Sequence, residues 1–577
     1  MDLLRRHLSK YNTYAKTCGM WPRCTNLKNP RIISKMSKSV LLVLGSYHPV
    51  KAARSDDLDP FLAPPMARIQ TSVCAFGLAE AACLSFAMKR SGRARTGFEN
   101  NFSLPDGTIA SYTFQAVSLI KKKYIARTCT TQSPGASFMD HIFSRHSTPN
   151  PPTAISGEGC YLFDSNGKRY FDGSGGAAVS CLGHGDKEIT EAIKAQLDKM
   201  AFAHTGFFTS DPAEQLADLL IQHSPDGIDR VYLVSGGSEA TEAAIKLARQ
   251  YHVERGEPHR RHLIARKQSY HGNTIGALSA GGNEWRRRQF APLLVDVTHI
   301  SPCYEYVLRA EGETAAAYGQ RSAQELEDAI LRLGPDTVMA FMAEPVVGAT
   351  LGAVPAVEGY FKRIREICDK YGVLLILDEV MCGIGRTGYL FACEADNISP
   401  DIICIAKGLG AGYQPIGAML CSSKIYNTIT TGSGFFQHGH TYIGHPVAAA
   451  AGLAVIQAIL DRRLVGRVQK MGSKLCKALV SAFGQHPNIG DIRGRGLFWG
   501  LEIVENLETK RPFDPARMIA ANIKKTAMAE GLVCYPMAGT RDGKHGDHVM
   551  LAPPFIISDA QIDELVGLLG KTLQKIL

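Results

Sequence analysis

From residue 137 onward, short runs of uniformly apolar residues alternate with segments whose apolar positions recur every three or four residues. The runs are of strand length: Val231–Ser235, Leu263–Arg266, Val338–Ala343, Val373–Asp378, Ile402–Ile405 and Ile416–Leu420. The segments between them, such as Ser238–Tyr251 and Gly359–Tyr371, read as amphipathic helices. Strands that are apolar on both faces and separated by helices predict an α/β fold. Its sheet is expected to be mostly parallel and covered by helices on both sides. Ahead of them, Tyr161–Phe163, a turn at Asp164–Gly167 and Tyr170–Phe171 predict a hairpin. The Ala-rich stretch Val447–Leu460 is too short for a membrane span and reads as a buried helix.

Composition changes this picture only at the N-terminus. The chain has 577 residues, 45% hydrophobic and 20% charged, which excludes a disordered or fibrous protein. Its net charge of +10 suggests a polyanionic partner until the charge is located. Residues 1–136 carry 20 Lys+Arg against 7 Asp+Glu, a net +13, which leaves the rest at −3. Nucleic acid and membrane are therefore not expected partners. Leu4, Leu8 and Tyr11 lie at helical spacing among arginines, as in a mitochondrial transit peptide; an untargeted extension, or one absent from the mature protein, fits as well. Met139 is also placed to serve as an internal start. The Val40–Tyr47 run is too short for a signal anchor, and Lys121–Lys123 reads as a solvated run. The 15 cysteines show no CxxC pair and predict reduced thiols, a cytoplasmic location with the mitochondrial matrix as alternative, and no metal site.

Three features carry chemistry. Ser235–Thr241 (SGGSEAT) follows a strand and opens a helix, where free amides and the helix dipole suit a phosphate; a Gly-rich turn with a Ser cap is the plainer reading. It lacks the P-loop pattern, and no GxGxxG follows the early strands, so a nucleotide is not favoured. Asp378 and Glu379 end the most apolar strand, where a carboxylate is costly to bury alone. The buried aspartate could hold a cationic ring nitrogen; a helix cap or a structural salt bridge is the plainer reading. Lys407 follows an apolar strand and precedes a Gly-rich bend. Desolvation there favours a neutral, nucleophilic amine, although a snorkelling lysine looks the same in sequence. A phosphate cradle, an aspartate for a ring nitrogen and a lysine for an aldehyde together match the needs of pyridoxal phosphate. His438 and His440 alternate as metal ligands do but lack partners at suitable spacing, and Cys382 has no paired histidine.

Seven motifs, in order, resemble the class III (omega-type) aminotransferases of pyridoxal-phosphate fold type I. They are SGGSEATEAAIKLARQY from Ser235, SYHGNTIGALS from Ser269, AEPVVGA from Ala343 and LDEVMCGIGRTG from Leu377. AKGLGAGYQPIGAML from Ala406, HGHTYIGHPVAAAAGLAV from His438 and RGRGLFWGLE from Arg493 complete the set. The resemblance covers residues 137–577. It implies a large cofactor-binding domain over 191–460 and a small domain built from 137–190 and 461–577, behind the 1–136 extension. It implies pyridoxal 5'-phosphate as cofactor, with Lys407 as its Schiff-base lysine and Asp378 on the ring nitrogen. Tyr270 and Val380 would flank the ring, with His271 and Glu344 beside it. Gly237 and Ser238 would hold the phosphate, and Thr441 would reach it from the neighbouring subunit of a homodimer. The activity implied is transfer of an amino group from an amine or amino acid to a keto acid. Decarboxylation, racemisation or aminomutase chemistry on the same fold is the alternative. Many members carry a substrate-binding arginine where Tyr535 stands here; Arg541 could replace it or could be a loop charge. Arg493 and Arg495 read as structural.

Overall fold

The computed structural model describes residues 151–577 continuously, together with residues 141, 143 and 145 and four short strands nearer the N-terminus. The chain divides into two compact units, Met1–Pro149 and Asn150–Leu577. In the first, Ser39–Leu44 pairs in parallel with Gln70–Ala75, and Phe102–Ser103 pairs with Ile109–Ala110. The apolar run beginning at Val40 thus supplies a strand. The amphipathic start and Lys121–Lys123 lie outside the described residues.

The second unit is built on a seven-stranded sheet. Its strands are β1 (Arg230–Val234), β2 (His262–Arg266), β3 (Thr298–Ile300), β4 (Val338–Ala343), β5 (Leu374–Asp378), β6 (Ile402–Ile405) and β7 (Gly417–Cys421). They lie in the order β3-β2-β4-β5-β6-β7-β1. The pairs from β3 to β6 are parallel, and β7 alone runs antiparallel to both neighbours. Six of the strands are the six predicted apolar runs. β3, three residues long with two polar members, is the addition.

Alternation within each strand feeds two cores. Phe341, Leu375, Leu377, Ile403 and Ile405 join Ile330 and Ile364, which lie on the helices Ala315–Leu333 and Tyr360–Tyr371. Met342, Leu374, Ile376, Ile402 and Cys404 pack with Ala240, Ala244 and Leu247 of Gly237–Glu254, an 18-residue helix. The Ala-rich stretch forms the helix Pro446–Asp461, buried along most of its length.

The predicted hairpin forms from Tyr161–Asp164 and Arg169–Asp172. Its second strand pairs in parallel with Leu532–Val533, so distant segments share one sheet. A second four-stranded sheet, wholly antiparallel, is built from Ile489–Arg495, Phe498–Ile503, Asp547–Leu551 and Tyr535–Ala538. All described cysteines are free. Among the described residues no helix is long and apolar enough to cross a membrane.

Candidate active site

In a parallel sheet the strand C-termini converge on one edge, where ligands of open α/β sheets bind. Here β1 delivers Ser235–Ser238, β2 leads to Tyr270 and His271, and β4 ends before Glu344. β5 ends on Asp378, with Val380 just beyond, and β6 runs into Lys407. The antiparallel β7 begins at the same edge, behind Gln414–Ile416. All these residues line one cavity of about 450 Å³, within the usual size range of small-molecule sites. Glu379 does not line it.

Asp378 is buried and fixed at both oxygens. Its Oδ2 accepts from His271 Nδ1–H at 2.8 Å, and its Oδ1 accepts the Val380 N–H at 3.0 Å. His271 is buried too, and its Nε2 has no partner. Glu344 accepts N–H bonds from Tyr270 (3.1 Å) and Gly348 (2.9 Å). Burial pushes its carboxyl pKa up, as does the charge of Asp378, against the lowering influence of His271. Lys407 is partly buried and has φ +48°, the left-handed region that side-chain-bearing residues avoid. Burial holds its ammonium below the ordinary lysine range; Asp378 and Glu344 oppose this, and Arg286 adds to it.

The Ser235–Thr241 motif has no Ser cap. Helix Gly237–Glu254 starts behind Gly236, and the Ser235 N–H donates to Glu239 Oε2 at 2.7 Å. Gly237 and Ser238 occupy the first helical turn, whose N–H groups have no partner within the helix. A Cβ on Gly237 would lie 2.7 Å from Val380 Cγ1, so only glycine leaves this wall of the cavity intact. Ser238 Oγ accepts the Asn273 N–H at 3.1 Å. Its neighbour Gly272, at φ +131°, leaves no room for a Cβ, which would meet Ser238 Oγ at 2.6 Å.

The two adjacent carboxylates part company. Glu379 points away from the cavity and accepts the N–H groups of Ala392 and Cys393, the latter at 2.9 Å. It meets no cation, so the salt-bridge reading does not apply to it. Burial raises its pKa from 4.5 to about 7. The folded state therefore binds this proton more tightly than the unfolded chain does. The associated stability is fully present below pH 4.5 and is lost as pH rises through about 7. Glu379→Gln, always neutral, is expected to remove on the order of 3 kcal/mol of pH dependence across that window. Urea denaturation at a series of pH values checks this, and an unaltered slope would count against it.

The remaining residues singled out in the sequence lie elsewhere. Thr441 is exposed, on the loop before Pro446–Asp461, and does not line the cavity. Tyr535 pairs with Met550 across the antiparallel sheet and packs against a small buried cluster, outside the cavity lining. Arg541 is bound to Glu502 Oε1 (3.3 Å) and the Lys510 carbonyl (3.3 Å), away from the cavity lining. Arg493 is buried against the same Glu502 at 2.7 Å, and Arg495 pairs with Asp396 at 3.3 Å. Cys382 is buried, and its Sγ–H points to the Asp378 carbonyl at 3.8 Å. Burial drives its thiol pKa far up, which makes it a packing residue. Among the described residues there is no cluster of three or more metal-ligating side chains. Sequence reasoning missed the His271–Asp378 bond and the wall formed by Gln414–Ile416. Only the AKGLGAGYQPIGAML motif signalled the latter.

Comparison with known proteins agrees with this geometry. The model of the class III aminotransferases matches residues 142–573. An uncharacterised aminotransferase of Schizosaccharomyces pombe is 47% identical over 446 residues, 77% of this chain and 97% of its own. The chloroplastic gamma aminobutyrate transaminase 3 of Solanum lycopersicum is 36% identical, covering 74% of this chain and 82% of its own. An (S)-enantioselective omega-transaminase of Thermomicrobium roseum superimposes with TM-score 0.70 at 34% identity, over 79% of this chain and 98% of that one. With the match running almost from end to end of the second unit, the chain belongs to the class III aminotransferase family and is a transaminase of fold type I.

Proposed function

We propose that the cavity holds pyridoxal 5'-phosphate and that the chain moves an amino group from an amine or amino acid donor to a keto acid. One observation carries this reading: a desolvated lysine amine, a doubly hydrogen-bonded carboxylate and an open helix N-terminus meet in one cavity. The residues fit the cofactor. The glycine wall at Gly237 leaves space beside Val380, and His271 Nε2 is a buried polar atom awaiting a partner.

When bound, pyridoxal phosphate supplies an aldehyde that links to amines and a cationic ring that withdraws electrons. Lys407 would hold that aldehyde covalently, because burial favours its neutral amine. Lys407 Nζ would accept the proton leaving the donor's Cα, and would return a proton in the keto-acid half-reaction. Asp378 would face the protonated ring nitrogen, its orientation set by His271 Nδ1 and the Val380 N–H. Tyr270 and Val380 would flank the ring, while Glu344 fixes Tyr270 through its backbone N–H. Gly237, Ser238 and the helix dipole would bind the phosphate.

Thr441 belongs to this reading only in a homodimer, where its exposed loop serves the cavity of the second copy. We also read 191–460 as the cofactor-binding domain, since it contains the whole seven-stranded sheet. The flanking segments would form the small domain, as the shared strands at Arg169–Asp172 and Leu532–Val533 support.

The test is a screen of amine donors against pyruvate and 2-oxoglutarate with the cofactor-loaded chain. Stoichiometric formation of a new amino acid and of the donor's carbonyl product is expected. Carbon dioxide release, or a racemised donor without net amino transfer, would instead establish the alternative chemistry on this fold.

A further inference from the structure

We propose that Arg286 binds the carboxylate of the substrate. The inference rests on the reading above, in which every turnover admits a keto acid whatever the amine donor. That anion must enter a cavity already walled by the carboxyl groups of Asp378 and Glu344. A buried anion needs a cation, and the planar fork of arginine matches a carboxylate best.

Most nearby arginines are already committed. Arg541 and Arg493 share Glu502. Arg287 donates to the carbonyls of Leu278, Ser279 and Gly281. Arg286 is different. Its guanidinium carbon lies 4.7 Å from the centroid of the Tyr270 ring, so that it stands behind a cavity-lining residue without itself belonging to the lining. No carboxylate among the described residues lies within ion-pair distance of it, and its Nε is buried without a hydrogen-bond partner. A buried guanidinium N–H left without a partner is costly unless a ligand completes it.

The backbone beneath Arg286 is held in place. The Asn283 side chain accepts the Arg286 N–H, capping the turn Glu284–Arg287. Asn283 in turn donates to Gln268, whose amide donates to the Gly539 carbonyl at 2.9 Å. Stacking on Tyr270 restricts the side chain further, so little order remains to be gained on binding. Burial is the main reason that the Lys407 amine sits low, and the positive charge of Arg286 adds to it. The two groups therefore sense each other electrostatically.

The experiment has two arms. In the first, the full chain is titrated calorimetrically with 3-phenylpropionate, a carboxylate with no amino or keto group. Binding about tenfold to a hundredfold weaker is expected in R286Q, with R286K intermediate. Exposed Arg288 supplies the control, R288Q, which is expected to bind as the wild type does. In the second arm, the loaded enzyme is given an amino acid donor and the amine left after its decarboxylation. R286Q is expected to raise KM for the amino acid and the keto acid by a similar factor, and to affect the half-reaction with the simple amine much less. Equal binding by wild type and R286Q, no binding of the probe by the wild type, or an equal loss for both donors would overturn the proposal. The first arm needs no turnover, so the proposal can fail while transamination stands, or stand while transamination fails.

Discussion

Lys407→Ala is expected to lower transamination by at least about 10⁴-fold, the largest effect of any single substitution in this chain. General acid–base transfer alone is worth about 10²–10⁴, and the variant also loses the amine that would form the proposed covalent link. Lys407→Arg is expected to be equally inactive, because a guanidinium keeps the charge but does not deprotonate. Borohydride reduction gives an independent readout. The wild-type peptide carrying Lys407 should retain the cofactor mass, and both variants should release it. The backbone adds a third arm. At φ +48° Lys407 is held where glycine is at ease. Lys407→Gly should therefore be inactive yet melt no lower than Lys407→Ala, as expected where strain is kept for function. Turnover within a few fold of wild type in any of these variants would overturn the assignment.

Most of the scaffold was legible because its strands are apolar on both faces, a pattern produced only by burial between helix layers. β3 escaped because Thr298 and His299 break the apolar run and the strand lies at the sheet edge. Lys407, Asp378 and the Gly236–Ser238 turn each lie at the C-terminal end of such a strand, and parallel pairing brings strand ends together however far apart they lie in sequence. The phase was not legible. Asp378 and Glu379 are adjacent and equally acidic; alternation sends them to opposite sides without saying which one meets the cavity. Long-range pairings were equally hidden. His271 and Asp378 are 107 positions apart, and Arg541 is taken up by Glu502, 39 positions away. In both cases the local sequence looks the same whether or not the bond forms. Arg286 lay concealed in a run of three arginines, of which only the fold separates the one stacked on Tyr270 from its neighbours.

Asp378→Asn should lower kcat by about 10²–10³-fold, the range for removing one preorganised electrostatic partner from a reacting site. The side chain keeps its shape, and the amide oxygen can still accept from His271 or from the Val380 N–H. What it loses is the negative charge that would keep the ring nitrogen protonated. The effect should therefore fall on the chemical step and only weakly on cofactor retention, which Lys407, Gly237 and Ser238 would maintain in the proposed reading. Stopped-flow absorbance of the amine half-reaction separates the two, because its rate drops while the cofactor stays bound through gel filtration. Asp378→Glu should restore part of the rate by returning the charge, although the longer side chain disturbs the bond to His271. A purely structural role predicts otherwise: the asparagine variant would then be the milder of the two, since it preserves the packing that glutamate disrupts. Glu379→Gln supplies the contrast within the same pair. It alters stability with pH and should leave the half-reaction rate within about twofold, because its carboxyl group faces the backbone of Ala392 and Cys393. Should Glu379→Gln slow the chemistry as much as Asp378→Asn does, the division of labour drawn between these two carboxylates would be wrong.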